Sequence, residues 1–63
     1  MEFSLVYRII RDPETNLIIK IETVEYCKYR KEADRDCKFF NLQVPLALRN
    51  TVTYKTYHSE LIE

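Results

Sequence analysis

Tyr29-Arg30-Lys31-Glu32-Ala33-Asp34-Arg35-Asp36-Cys37-Lys38-Phe39-Phe40 is the stretch on which the fold turns, because it fits two periodicities. As a hairpin, Val24 to Arg30 folds back on Asp34 to Phe40 around Lys31-Glu32-Ala33. That register opposes Arg30 to Asp34, Lys28 to Asp36 and Cys27 to Cys37, and cross-strand pairs of this kind each add a little stability. As a helix, Tyr29, Ala33, Cys37 and Phe40 recur at spacings of four, four and three, an apolar stripe. Lys31-Glu32-Ala33 suits a helix, whereas Asp34-Arg35-Asp36 toward its end suits it poorly. Two ion pairs and a matched cysteine pair arising from one register favour the hairpin. The expected fold is therefore all-β: a small four-stranded antiparallel meander that can curl into an open barrel, with strands near 3–11, 17–29, 35–48 and 51–58. The alternative is α+β, in the order β-β-α-β-β with a helix near 28–39.

Working toward the N-terminus, residues 3 to 10 alternate, with Phe3, Leu5, Tyr7 and Ile9 on one face. Arg11-Asp12-Pro13-Glu14-Thr15-Asn16 follows. Asp12 is a good first turn residue, Pro13 pre-sets φ, and Asn16 can take the left-handed conformation that a chain without glycine must assign to Asn or Asp. Leu17-Ile18-Ile19-Lys20-Ile21 resumes as a β-branched strand, setting Ile9 near Ile19 and Tyr7 near Ile21. Toward the C-terminus, Phe40, Leu42, Val44, Leu46 and Leu48 alternate as a half-buried strand does. Pro45 lacks an amide proton, which marks that strand as an edge or a bulge. Arg49-Asn50 reads as a turn, Thr51 to His58 as a last strand, and Ser59 to Glu63 as a frayed tail. The expected core is Leu5, Tyr7, Ile9, Ile19, Ile21, Phe40, Leu42, Val44 and Leu46, closed at one end by Val52 or Tyr54.

The 63 residues make one domain, 1–63, whose hydrophobic content of 46% supplies a thin core and no deep cavity. That disfavours catalysis and favours dimerisation or docking on a partner. Ten basic and ten acidic residues cancel, so the basic excess of a typical nucleic-acid binder is missing. The absence of glycine excludes glycine-rich phosphate loops. Glu2 near the start and Arg8 within the first apolar run argue against an export signal or a membrane span, which makes a cytoplasmic setting the default.

Candidate chemistry is sparse. Cys27 and Cys37 lie too far apart in sequence for a zinc pair, and no metal or other cofactor is expected. In the hairpin register they are close enough to form a labile disulfide; otherwise they are two small, partly buried thiols. His58 has no carboxylate at a spacing that would orient it, so it reads as a surface residue and no catalytic residue is assigned. The stronger hint is the interleaving of aromatics with bases, which gives a candidate binding surface of Tyr29, Lys31, Lys38, Phe39, Tyr54, Lys55 and Tyr57. Such a surface suits protein recognition, where Tyr and Arg are common anchors. It also suits base stacking, although the acids threaded among the bases weaken that reading. The expected function is a small non-enzymatic protein-binding or accessory module: an inhibitor, adaptor or assembly factor. Its partner is another protein or itself, as a homodimer, and its style suits a viral or mobile-element genome. The alternative is a sheet-surface nucleic-acid binder.

Overall fold

The computed structural model describes residues 2–60 of the chain, with side chains for 3–59. Strand β1 (Glu2–Arg11) turns into β2 (Ile18–Cys27), and a short bend leads to helix α1 (Arg30–Gln43). A 3-10 turn (Leu46–Leu48) then delivers β3 (Val52–Glu60). The strands form one antiparallel sheet in the order β2-β1-β3, so β1 is central. The architecture is α+β in the order β-β-α-β, and it replaces the four-stranded meander.

The turn after β1 is built as its residues suggest. Asp12 Oδ1 accepts the amide protons of Glu14 at 2.8 Å and Thr15 at 3.1 Å, and Asn16 takes φ 62°. The pairing beyond it differs from expectation: Ile9 lies opposite Ile21 and Tyr7 opposite Thr23. Register shifts at Val6/Tyr7 and Ile10/Arg11 accommodate the change. Because the displacement is two residues, each side chain keeps its expected face.

The decisive stretch is helical. Glu32 lies in the first turn, where an acid complements the helix dipole, and Ala33 and Cys37 point inward. Phe40 and Val44 extend that stripe at the next helical positions, Phe40 packing on the core and Val44 buried. Phe40 and Val44 also belong to the period-two pattern that suggested a strand over 35–48. Two of its members fit either period, and Leu42 and Leu46 are exposed. Pro45 marks the end of the helix rather than an edge strand. The residue before a proline is driven out of the helical region, and Val44 is extended at φ -67°, ψ 124°.

The core is correspondingly different. Val6 (0% exposed), Cys27, Ala33 and Cys37 form the buried cluster, with Phe40 and Tyr54 packed against it. Ile19, Ile21, Leu42 and Leu46 are exposed, so the expected core holds only in part. The hairpin that would have paired Cys27 with Cys37 does not exist; both are free, buried thiols at the sheet–helix interface. Ser59 and Glu60 belong to β3 rather than to a frayed tail, whose remaining residues 61–63 lie outside the described residues. No helix among the described residues is long and apolar enough to cross a membrane.

Candidate functional site

Alternation along β1 sorts the sheet into two faces. Ser4, Val6, Arg8 and Ile10 point toward α1, joined by Glu25 and Cys27 on β2 and by Tyr54, Thr56 and His58 on β3. Phe3, Leu5, Tyr7 and Ile9 point away, joined by Ile21, Thr23 and Tyr26 on β2 and by Thr53, Lys55 and Tyr57 on β3. No helix or strand among the described residues covers this second face, although Ile9 on it is packed down to 7% exposed. Tyr26 is 67% exposed, Ile21 58% and Tyr57 54%. Phe3 stacks on Tyr26 with ring centroids 5.4 Å apart and lies 6.4 Å from the Tyr57 ring, making an aromatic row across all three strands. Beside it Leu5, Tyr7, Ile21, Thr23 and Tyr57 line a shallow depression of about 450 Å³. The faces also differ at the sheet edges. Asn41 on α1 donates to the Tyr54 carbonyl and accepts from the Tyr54 amide, both at 2.9 Å, so it occupies the outward backbone groups of β3 there.

The candidate surface read from sequence divides between opposite sides of the molecule. Tyr29, Lys31, Lys38 and Phe39 are exposed on or beside α1, whereas Lys55 and Tyr57 lie on the uncovered sheet face. Tyr54 belongs to neither, being half-buried and stacked on Phe40 at 5.2 Å. These residues therefore form no single platform. The rings and aliphatic chains that share the uncovered face with Tyr57 carry a clear signal, the alternation of β1, but that signal points equally well to a core.

Two polar constellations lie on the helix side, and sequence spacing showed neither. In the first, Ser4 Oγ and His58 Nδ1 are 2.8 Å apart and His58 Nε2 lies 3.0 Å from Asp34 Oδ1. His58 thus has the orienting carboxylate that its sequence neighbours lacked, supplied by the helix. The order serine-histidine-acid resembles a nucleophile relay, but Ser4 is 3% exposed beneath α1 and the accessible end is Asp34. A nucleophile must reach its substrate, so this chain is suited to tying β1, β3 and α1 together.

In the second, one donor atom from each of Glu25, Cys27, Glu32 and Asp36 lies within 4.8 Å of the others. The hydrogen bond between Asp36 and Glu25 raises the Glu25 pKa and lowers that of Asp36, as expected of two carboxyls sharing one proton. Cys27 Sγ donates to Glu25 Oε1 at 3.1 Å. Burial first, and that acid second, push the Cys27 thiol up to about 12, and burial raises Cys37 as well. Neither thiol is an activated nucleophile. Farther along the same face, Arg8 pairs with Glu22 at 2.9 Å, and that hydrogen bond lowers the Glu22 pKa.

No protein-family model, curated protein or solved structure matches this chain. The functional reading therefore rests on the geometry.

Proposed function

We propose that this chain is a non-enzymatic protein-binding module whose working surface is the uncovered face of the sheet. The observation that carries this reading is the exposure of Ile21, Tyr26 and Tyr57 on one contiguous apolar surface, while the helix covers the more polar side. Large exposed apolar patches mark interaction sites, and clustered aromatic rings supply their anchors. The size of the chain, its inert thiols and the inaccessibility of Ser4 support a binding role over a catalytic one.

Purification of the tagged chain from its host tests this. A stoichiometric protein partner is expected with the wild type and with Leu42→Asp on the helix exterior, and is expected to be lost with Ile21→Asp. Retention that ignores Ile21→Asp would remove the sheet face from consideration.

One observation favours a second reading, nucleic-acid binding. The helix gathers Lys31, Arg35 and Lys38 along one exposed side. Asp34 and Asp36 alternate with them, and Arg35 Nε bonds Asp36 Oδ1 at 3.2 Å, which diminishes their pull on phosphates. Few phosphate contacts give weak affinity and a shallow salt dependence. Binding to a mixed oligonucleotide is expected to be weaker than about micromolar at physiological salt. Nanomolar retention in a filter-binding titration, collapsing as salt is added, would promote this reading over the first.

A further inference from the structure

We propose that the occupant of the uncovered sheet face is a second copy of this chain, packed face to face as a two-fold dimer. The inference rests on the reading of that face as a binding surface and names its partner. It follows from four features of the molecule.

The first is the small core. Val6, Cys27, Ala33 and Cys37, with Phe40 and Tyr54 against them, form the buried cluster, and no disulfide reinforces it because both cysteines are free. A single core in a domain below about 70 residues rarely supplies more than about 3–5 kcal/mol, and burial against a further surface adds to it. A second copy is always present at the concentration of the chain itself.

The second is the unsuitability of the edges. On β3, Asn41 already occupies the backbone groups of Tyr54 that an added strand would need. On β2, register shifts opposite Val6/Tyr7 and Ile10/Arg11 interrupt the ladder, and irregularities of this kind discourage edge-to-edge pairing. The face has neither obstacle.

The third is area. Three strands at about 4.8 Å spacing and eight residues at about 3.3 Å rise give a patch of about 14 by 26 Å. That is on the order of 370 Å² in plan on each copy, and the protruding Tyr26, Tyr57 and Ile21 side chains enlarge it. Two such plan areas sum to about 740 Å², so the protruding side chains must supply the remainder of the about 1,200 Å² that bounds stable interfaces from below.

The fourth is complementarity under a two-fold operation. The chain has a formal net charge of zero, so copies do not repel. With the axis along β1, β2 of one copy lies over β3 of the other. Thr23 and Lys55 both pair with Tyr7, so Lys55 meets the Thr23 of the second copy and not another lysine. Tyr26 and Tyr57 both pair with Leu5, so these rings meet each other across the interface. The product is a six-stranded sandwich with a helix on each outer side, its sheets packed as aligned layers about 10 Å apart.

Sedimentation velocity of the full chain at tens of micromolar, with circular dichroism on the same samples, tests the inference. Wild type and Leu42→Asp are expected at about 15 kDa, twice the 7.7 kDa of the chain. Ile21→Asp and Tyr57→Asp are expected at the single-chain mass, with dimerisation weakened by more than about a hundredfold. Both replaced residues are more than half exposed in one chain, so unfolding of either variant would itself reveal a contact made outside that chain. A wild type that stays at 7.7 kDa, or a dimer that survives both substitutions, overturns the inference. Should that monomer retain a different protein in an Ile21-dependent way, the binding-face reading stands without the dimer. Should retention ignore Ile21→Asp, both fall.

Discussion

Beneath the helix the sheet presents Ser4, Val6, Cys27, Thr56 and His58; on its other side it presents Leu5, Tyr7, Ile9, Ile21, Tyr26 and Tyr57. The covered side is the more polar of the two, and it is held by directional links: Ser4 to His58 to Asp34, and Asn41 to the backbone of Tyr54. The bare side has rings and branched aliphatic chains, and those dominate what it offers a partner. The difference shows how this small chain divides its labour. Hydrogen bonds with fixed geometry specify which way the helix docks, while the larger apolar area is left for an association that needs burial more than direction.

The sharpest way to break that comparison is to place the same charge on each face. Val6→Asp puts a carboxylate where 0% of the residue is exposed, and a cost above about 4 kcal/mol is expected to abolish the folded state. Ile21→Asp, at a position 58% exposed, is expected to keep a far larger share of the strand and helix signals. Equal loss of structure in the two variants, measured by circular dichroism at matched dilution, would mean that the folded state depends on burial of the bare face as much as on the packing under the helix.

A smaller effect is expected from the link that docks the helix on β3. Asn41→Ala leaves the amide and carbonyl of Tyr54 without their 2.9 Å partners. A destabilisation of about 2 kcal/mol by urea titration is expected, with faster amide exchange at Tyr54. A change below about 0.5 kcal/mol would show that water replaces the asparagine at no cost and that the helix is placed by packing alone.

Smaller again is the turn that keeps the two faces in register. Asn16, at φ 62°, should tolerate glycine, while Asn16→Ala should cost about 1 kcal/mol. If alanine proved as stable as asparagine in thermal melts, the left-handed turn would not be what fixes the hairpin.

The smallest expected effect lies in the shared proton at the helix–sheet boundary. The folded-state pKa of Glu25 is raised by its hydrogen bond with Asp36, so its contribution is fully present below the unfolded value of 4.5 and is lost as pH rises through the folded value. Asp36 and Glu22 are lowered by their bonds to Glu25 and Arg8, so their contributions are present above 3.8 and 4.5 and are lost as pH falls through the folded values. Together these groups favour mild acidity, between the unfolded value of 4.5 and the raised folded value of Glu25, over neutrality. Glu25→Gln keeps a donor for Asp36 at every pH, and is expected to raise Tm by a few degrees at neutral pH and to flatten the descent above 4.5. Melts across pH 4 to 7 giving parallel wild-type and variant curves would show that the two carboxyls do not share a proton.

Local chemistry determined much of this protein. The turn from Asp12 to Asn16, the alternation of β1 and the grouping of Phe3, Leu5, Tyr7 and Ile9 on one side are properties of neighbouring residues, and they were legible as such. Ala33, Cys37 and Phe40 also displayed a helical stripe, but Phe40 and Val44 satisfied a strand period at the same time. A residue at a position common to both periods cannot distinguish them. Only the tertiary structure decided that the stripe packs on Val6 and Cys27, and hence that the even-numbered side of β1 is covered. That choice made the most apolar face of the sheet a surface. It brought Asp34 to His58 across a long separation in sequence and Asp36 to Glu25 across the bend before the helix, and it parted Tyr57 from Tyr29 and Phe39. Alternation reports that two faces differ. Which one is buried depends on where a distant helix comes to rest, and the helix here sets Ala33, Cys37 and Phe40 on Val6 and Cys27 and bonds to β3 through Asp34 and Asn41, contacts that no spacing along the chain records.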